Sequence, residues 1–284
     1  MAAPSDVPPN HAGGLTPADF AAIRAHLCEQ YRGVFTPAMI EAHLDNHVGL
    51  ASAEYSVAVL AQTWKLPAGS RILDVGAGYG SFVLLARDRG YQARGVEISP
   101  FEVECARRRL RRLRPDDDAE AVYRLGDGAR LPVADAGVDA VTLWNVLEHV
   151  ADLEALLREC RRVVRPGGII YAICPNYLAF RQEAHYHVFW PSLIPRSLAV
   201  RYLAIRHRNP AFFQNHIFYR TNGEVLGLAR RLGLAIHELE RPIPRIAPGV
   251  TWRMVLADPG PFLAFVNPFK ASVLVALVRP ATGS

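Results

Sequence analysis

The stretch ILDVGAGYGSF, at residues 72–82, decides the fold class of this chain. A short apolar run leads into three glycines at every second position, and a helical pattern follows. Glycine lets the backbone of such a turn approach a ligand closely, and the helix N-terminus supplies unpaired amides. The spacing is G-x-G-x-G, with Ser81 where a dinucleotide-binding G-x-G-x-x-G turn has glycine. The stretch predicts a ligand-binding strand, turn and helix, although a single glycine turn is weak evidence.

Short apolar runs alternate with helical stretches on the C-terminal side of this turn. We predict strands at residues 93–98, 122–125, 138–144 and 168–174, then a helix at about 221–232 and strands near 233–239 and at 273–278. Leu153, Leu156, Leu157 and Cys160 follow the spacing of an intervening helix. This alternation is typical of a parallel sheet with helices on both faces. The predicted fold class is α/β, a Rossmann-like doubly wound sheet.

The sequence outside this alternation divides the chain into five segments. Residues 1–14 are rich in Pro and Gly and are expected to be a disordered tail. Residues 15–66 are expected to be a helical cap, because Thr16-Pro17 and Thr36-Pro37 are typical helix starts. Residues 67–176 are the predicted cofactor-binding core, 177–218 an inserted lid or acceptor-binding segment, and 219–284 the C-terminal part of the core. The insertion is rich in aromatic residues and His, and long insertions often form lids or binding loops.

The composition is that of an ordinary globular protein. The chain has 284 residues, 50% hydrophobic and 21% charged, which argues against disordered and fibrous classes. The formal net charge is +5, but the densest arginine run, at residues 107–114, is followed by three aspartates, so we expect a solvated helix face and no nucleic-acid partner. The four cysteines lack C-x-x-C spacing, which favours a reducing compartment. Neither a signal peptide nor a transmembrane segment of ~18 apolar residues is predicted, so the expected location is cytoplasmic.

Acidic residues follow the second and third predicted strands. Glu97 ends the second strand, where its carboxylate can accept hydrogen bonds from both ribose hydroxyls of a nucleoside. Asp127 follows the third strand, where it can accept a hydrogen bond from an adenine amino group. The carboxyl ends of parallel strands lie at one edge of the sheet, which is where open α/β sheets bind ligands. Together with the glycine turn, these residues predict a nucleoside pocket.

Five motifs extend the argument to a family. LDVGAGYGSF, GVEISP, GDGARLPVADAGVDAV, LWNVLEHV and RRVVRPGGIIYAI, in this order over about residues 70–175, resemble those of class I S-adenosylmethionine-dependent methyltransferases. The resemblance implies S-adenosylmethionine as the cofactor and a seven-stranded sheet whose last strand is antiparallel. It places Gly76 and Gly78 against the methionine part, Glu97 against the ribose and Asp127 against the adenine, with Asn145 and Val146 bordering the sulfur. The cofactor residues that it implies are Asp74, Gly76, Ala77, Gly78, Glu97, Ile98, Asp127, Gly128, Asn145 and Val146.

The reaction that follows from this resemblance is an in-line displacement at the methyl group. A hydroxyl acceptor also needs a base, and His suits neutral pH. The predicted catalytic residues are His149, which follows the fourth strand, and His216, which precedes the helix at about 221. His185 and His187 would share a face of a strand and resemble a metal pair, but no third ligand has recognisable spacing, so no metal is predicted.

The insertion indicates the class of acceptor. Its aromatic, His and Arg side chains suit a sugar or another polyhydroxyl small molecule, and it resembles that of methyltransferases in glycan or natural-product assembly. We therefore expect O-methylation of a small-molecule or glycan hydroxyl. The alternatives are a quinone-like, lipid or amine acceptor, aminopropyl transfer, and a noncatalytic nucleoside-binding Rossmann-like protein. The apolar, arginine-rich stretch at 189–208 also allows peripheral membrane contact. The oligomeric state stays open.

Overall fold

The structure is a computed structural model that describes residues 13–178, 181–191, 193–237 and 272–281. It divides into two compact units, Met1–Pro132 and Val133–Ser284. The boundary between these units falls inside the segment 67–176 that the sequence predicts as one core, and the five predicted segments stay predictions.

Helices lead the first unit. They are α1 (Pro17–Gln30), α2 (Pro37–His43), a π-helical turn (Leu44–Val48) and α3 (Ala51–Trp64). Both predicted helix starts are present, because the side chains of Thr16 and Thr36 accept hydrogen bonds from backbone amides of the first turns of α1 and α2. Apolar residues of α1, α2 and the π-helical turn form one cluster with Tyr79 of the glycine turn. The N-terminal helices are therefore packed against the turn that the sequence assigns to ligand binding.

Parallel strands form the centre of the first unit. Its remaining elements are β1 (Arg71–Val75), α4 (Ser81–Asp88), β2 (Gln92–Glu97), α5 (Pro100–Leu113), α6 (Ala119–Val122) and β3 (Tyr123–Leu125). The strands lie in the order β3-β2-β1, with Val75 paired to Val96 and Glu97 paired to Leu125. The carboxyl ends of the strands lie at the same edge of the sheet, so the segments that follow them are neighbours.

The second unit holds the remaining strands. Its elements are β4 (Val138–Trp144), a 3-10 turn (Leu147–His149), α7 (Leu153–Val163), β5 (Val164–Pro175), β6 (Arg181–Gln182), β7 (Phe189–Trp190), α8 (Arg196–Ile205), α9 (Ala211–His216), α10 (Asn222–Arg231), β8 (Ala235–His237) and β9 (Ser272–Val278). The order is β4-β5-β9-β8, and β9 runs antiparallel to both of its neighbours. The predicted fold class is confirmed, including the antiparallel last strand.

The inserted segment contains more regular structure than its sequence indicates. Strands β6 and β7 pair as an antiparallel hairpin, and α8 and α9 follow. Trp190 and Phe213 are fully buried, with ring centroids 5.3 Å apart, and give the segment an aromatic core. His185 and His187 lie in the turn of the hairpin, so the expectation that they share one face of a strand is wrong. A tight turn separates two such side chains because it breaks the two-residue periodicity of a strand.

The arginine run of α5 is ion-paired over much of its length. Arg108 and Arg112 bond the Asp19 carboxylate, and Arg114 bonds Asp117. Within the described ranges, no helix combines the length and the apolar character that a membrane crossing requires. Residues 1–12, most of the predicted tail, lie outside the described residues. So do residues 238–271, which include the outer end of the predicted strand near 233–239.

Candidate active site

All three glycines of the turn have positive φ, and Gly78 and Gly80 have it for different reasons. Gly78 has φ +52°, and the nearest described atom that a Cβ would meet there is a carboxylate oxygen of Glu102, at 3.7 Å. Gly80 has φ +81°, and a Cβ there would lie 2.6 Å from the Tyr123 hydroxyl oxygen. Gly80 is therefore required by packing, whereas Gly78 leaves room for a ligand to approach the backbone.

Backbone hydrogen bonds fix this turn to the second strand. The amides of Gly76 and Ala77 both donate to the Val96 carbonyl oxygen, at 2.8 and 3.1 Å. The Gly78 amide donates to the Glu97 carboxylate at 3.0 Å. The residues that the sequence assigns to the methionine part of the cofactor and to its ribose are therefore in direct contact.

Glu97 is held by its own backbone as well as by the turn. Its other carboxylate oxygen accepts the amides of Ile98 and Ser99, at 2.7 and 2.9 Å, so three amides orient this side chain. Burial and the neighbouring Glu97 carboxylate raise the pKa of Glu102 to about 8. Glu102 is therefore mostly protonated at neutral pH, which avoids two adjacent negative charges beside the turn.

The third strand brings Asp127 to the same edge. The Gly126 amide donates to the Glu97 carbonyl oxygen at 3.0 Å, and the exposed Asp127 carboxylate accepts the Ala129 amide at 2.7 Å. Ile98, which follows Glu97 at this edge, is 70% exposed. The first unit therefore collects two carboxylates, a glycine turn and an apolar side chain, as a nucleoside pocket requires. Asp74, another predicted cofactor residue, is buried within β1.

Arg109 is a residue of this region that sequence reasoning missed. Its guanidinium is fully buried and donates to the carbonyl oxygens of Tyr79, Val48 and Gly13 and to the Ser81 hydroxyl. Burial lowers its pKa to about 10, so it stays charged. The expectation of a solvated arginine face is wrong for this residue. Arg109 lies three residues after the buried Ala106, and therefore on the apolar face of α5. This spacing could have identified Arg109 as a buried residue from the sequence.

Asn145 and Val146 belong to the second unit, directly after β4. Asn145 has φ +54°, and its amide donates to the Ile173 carbonyl oxygen at 2.8 Å. A left-handed Asn at the carboxyl end of a strand turns the chain sharply into the 3-10 turn that carries His149. These two residues therefore lie in the turn at the carboxyl end of β4, and their expected place beside the sulfur stays a prediction.

His149 is anchored through one ring nitrogen. Its Nδ1 lies 2.7 Å from the His216 carbonyl oxygen, so Nδ1 carries the hydrogen and Nε2 keeps its lone pair. Desolvation by the surrounding protein and the neighbouring His185 lower the pKa of His149 to about 4, although the residue as a whole is exposed to solvent. His216 contributes its carbonyl oxygen to this contact, while its exposed ring lies tilted against that of Phe212, with centroids 5.1 Å apart.

A buried carboxylate supports the second imidazole of this cluster. Glu183 is completely buried, and its oxygens accept hydrogen bonds from the Tyr177 hydroxyl at 2.7 Å and from the His185 and Tyr186 amides. It also lies 3.1 Å from Nδ1 of His185. Burial alone would raise the pKa of Glu183, but the bond to His185 and the other donors lower it to about 2.

The rings of His149 and His185 lie edge to face, with centroids 5.1 Å apart. The structure therefore joins His149, a predicted base, to His185, which the sequence placed in a metal pair, and leaves the exposed His187 outside the contact. Glu183 was missed, because nothing in the sequence distinguishes it from a surface glutamate.

The comparison with known families follows this geometry. The profile of a methyltransferase domain family matches residues 73–172, which contain the glycine turn, Glu97, Asp127 and the turn after β4. The chain contains a class I S-adenosylmethionine-dependent methyltransferase domain. The predicted family and the predicted cofactor, S-adenosylmethionine, are confirmed.

Individual relatives of the methyltransferase domain match over part of the chain. A malonyl-[acyl-carrier protein] O-methyltransferase of Serratia marcescens is 35% identical over 36% of this chain and 37% of its own. A 27-O-demethylrifamycin SV methyltransferase of Amycolatopsis mediterranei is 36% identical over 38% of this chain and 40% of its own. In three further relatives the match spans 46% of the relative, so the chain covers less than half of the curated proteins that it resembles.

A solved structure supports the fold. An S-adenosylmethionine-dependent methyltransferase from Mesorhizobium loti aligns with a TM-score of 0.50 at 24% identity, covering 81% of this chain and all of that one. At this identity the likeness concerns the fold, which agrees with the strand order described above.

Proposed function

We propose that this methyltransferase transfers the methyl group of S-adenosylmethionine to a hydroxyl of a small molecule or glycan. The observation that carries the proposal is the anchored imidazole of His149. A ring whose Nδ1–H is donated to the His216 carbonyl presents the lone pair of Nε2, which is the group that a hydroxyl acceptor needs. Relatives named as an O-methyltransferase and as a 27-O-demethylrifamycin SV methyltransferase are consistent with an oxygen acceptor.

The proposed reaction is an in-line displacement. An oxygen lone pair of the acceptor attacks the methyl carbon, the carbon–sulfur bond breaks, and S-adenosylhomocysteine leaves as a neutral thioether. The acceptor oxygen becomes strongly acidic as the new bond forms, so a neutral imidazole can take its proton. Alignment of the two reactants supplies roughly 7–11 kcal/mol of such a barrier, and a positioned base contributes about 10²–10⁴ in rate.

The roles of the cofactor residues belong to the same proposal. Glu97, which is 9% exposed, accepts the ribose hydroxyls, Asp127 accepts the adenine amino group, and Ile98 covers the adenine face. Gly78 admits the methionine part to the backbone of the turn. The three amides that hold Glu97 support this assignment, because they fix the carboxylate before a ligand arrives.

A cytoplasmic location is proposed on the state of the cysteines. Cys28, Cys105, Cys160 and Cys174 are all free thiols, and three of them are buried. Free thiols in these positions are consistent with a reducing compartment.

The test is turnover with a panel of acceptors, measured as release of S-adenosylhomocysteine. The panel contains sugars and polyhydroxyl natural products, matched amines, and quinols. His149→Ala should lower kcat on a hydroxyl acceptor by about 10²–10⁴. The control is His187→Ala, a change at the exposed histidine of the β6–β7 turn, which should leave kcat unchanged. Turnover restricted to amines would contradict the proposal.

A lipid-like or quinone-like acceptor is the second candidate, and exposed apolar side chains of the second unit favour it. Four large apolar side chains in the inserted segment are 45–75% exposed. They are Phe189, Leu193, Leu198 and Ile205. Arginines occur between them along the chain, a combination that binds anionic membrane surfaces. Co-sedimentation with phosphatidylglycerol vesicles, lost in Leu198→Ser/Ile205→Ser, would support this candidate, and no binding at low salt would contradict it.

A further inference from the structure

Three donor groups of the second unit converge beside the His149 anchor. Glu148 and His149 come from the 3-10 turn, and His185 comes from the turn between β6 and β7. Their ligand atoms all lie within 4.8 Å of one another. The two histidines are 36 residues apart in sequence, so the fold of the inserted segment creates this cluster.

Both imidazoles are oriented as metal ligands usually are. Nδ1 of His149 is bound to the His216 carbonyl oxygen at 2.7 Å, and Nδ1 of His185 is bound to the Glu183 carboxylate at 3.1 Å. Metal-ligating histidines almost always donate the second N–H to a carbonyl or carboxylate, which fixes the tautomer and leaves Nε2 for the ion. The completely buried Glu183, held in turn by the Tyr177 hydroxyl and two amides, is such a supporting carboxylate.

The charges of the cluster suit a divalent cation. Glu148 is 1% exposed and would be the ligating carboxylate, and Glu183 lies behind His185. Two buried carboxylates balance the two charges of the ion.

We propose that Glu148, His149 and His185 bind a divalent transition-metal ion such as Zn²⁺. Two imidazoles and one carboxylate are a common ligand set for zinc and for non-haem iron, whereas Mg²⁺ and Ca²⁺ prefer oxygen ligands alone. Tetrahedral zinc with bonds of about 2.0–2.1 Å needs its ligand atoms about 3.3 Å apart. Small side-chain rotations would therefore close the cluster around the ion.

A fourth position would stay open at such a site. Three protein ligands with one open position are typical of zinc sites that bind a substrate or water. The role of the ion rests on the proposed function: the open position would take the acceptor hydroxyl and lower its pKa. The ion would occupy Nε2 of His149, so it would replace His149 as the group that promotes loss of the proton. Binding of the ion does not depend on the proposed function.

The test measures metal binding apart from turnover. Untagged protein is stripped with a chelator and titrated with Co²⁺, followed by visible absorption, and then with Zn²⁺ in competition. We expect one ion per chain with the absorption of a low-symmetry nitrogen and oxygen site. Glu148→Gln and His185→Ala should each weaken binding by at least 100-fold, and His187→Ala should leave it unchanged.

Glu183→Gln supplies the sharper readout, because Glu183 supports a ligand without contacting the ion. Loss of such a partner costs 10–100-fold in metal affinity, with circular dichroism confirming the fold. Failure of the native protein to bind one ion, or equal affinity in all variants, would overturn the metal site. Full turnover on a hydroxyl acceptor after metal removal would overturn the role of the ion in the reaction and support His149 as the base. Metal binding without hydroxyl turnover would overturn only the proposed function.

Discussion

Replacement of Glu97 tests the assignment of the nucleoside pocket. Glu97→Ala removes a carboxylate that accepts three backbone amides and that we assign to the ribose hydroxyls. A hydrogen bond to a charged group is worth about 1.5–3 kcal/mol, so loss of the ribose contact alone should raise the Kd for S-adenosylmethionine about 10- to 150-fold. Loss of the support for the Gly78 amide should add to this effect, because the turn is no longer fixed.

The measurement is calorimetry with S-adenosylmethionine and S-adenosylhomocysteine, with NAD as a ligand that should not bind. Glu97→Gln is the matched control. Its single carbonyl oxygen can keep the Ile98 and Ser99 amides, but its amide nitrogen cannot accept from Gly78, so an intermediate Kd is expected. Circular dichroism and thermal melting show whether each variant folds. Unchanged cofactor affinity in a folded Glu97→Ala protein would refute the ribose role.

Three further predictions concern the first unit. Gly78→Val should abolish cofactor binding, because φ +52° strains a β-branched residue by about 1–3 kcal/mol and the valine side chain fills the space of the ligand. The control is Gly69→Val, which carries similar strain at φ +83° but lies in open space, so this variant should bind the cofactor normally in calorimetry. Arg109→Leu should lower the free energy of unfolding by at least about 3 kcal/mol in urea melts, since buried carbonyls lose their donor; a loss below 1 kcal/mol would contradict the role of this side chain. Burial would raise the pKa of Asp19, but its hydrogen bonds with Thr16 and Arg112 outweigh burial and lower the pKa to about 2. The contribution of this carboxylate to stability is therefore present above about pH 4 and lost between about pH 4 and 2. Asp19→Asn should lower the free energy of unfolding by about 0.5–2 kcal/mol at pH 7 and show less change in stability between about pH 4 and 2.

The elements of the domain could be predicted because each has a local signal. The strand at residues 138–144 lies where the sequence predicts it, since its run of apolar residues is buried and flanked by polar loops. The edge strand β3 was predicted one residue too early, because Val122 ends the short helix α6. The position of the segment after Leu125 beside Glu97 could also be predicted, because the parallel pairing of β3 with β2 brings the carboxyl ends of both strands to the same edge.

The support of the site could not be predicted in the same way. Glu183 and His185 meet His149 only because the β6–β7 hairpin folds back, a contact across more than thirty residues of sequence. Nothing local distinguishes a buried glutamate with four donors from a solvated one. His216 shows the same limit: the sequence predicts a base role for its ring, whereas the contact with His149 is made by its backbone carbonyl.

The most direct test of the proposed activity is single-turnover methyl transfer to a hydroxyl acceptor identified from the panel, with native protein, His149→Ala and His216→Ala compared at saturating S-adenosylmethionine. We predict a loss of about 10²–10⁴ in the rate for His149→Ala and a change of no more than a few-fold for His216→Ala, which keeps its carbonyl oxygen, with cofactor Kd unchanged in both. A native rate in His149→Ala would contradict the account, and so would methylation of amines alone by the native protein.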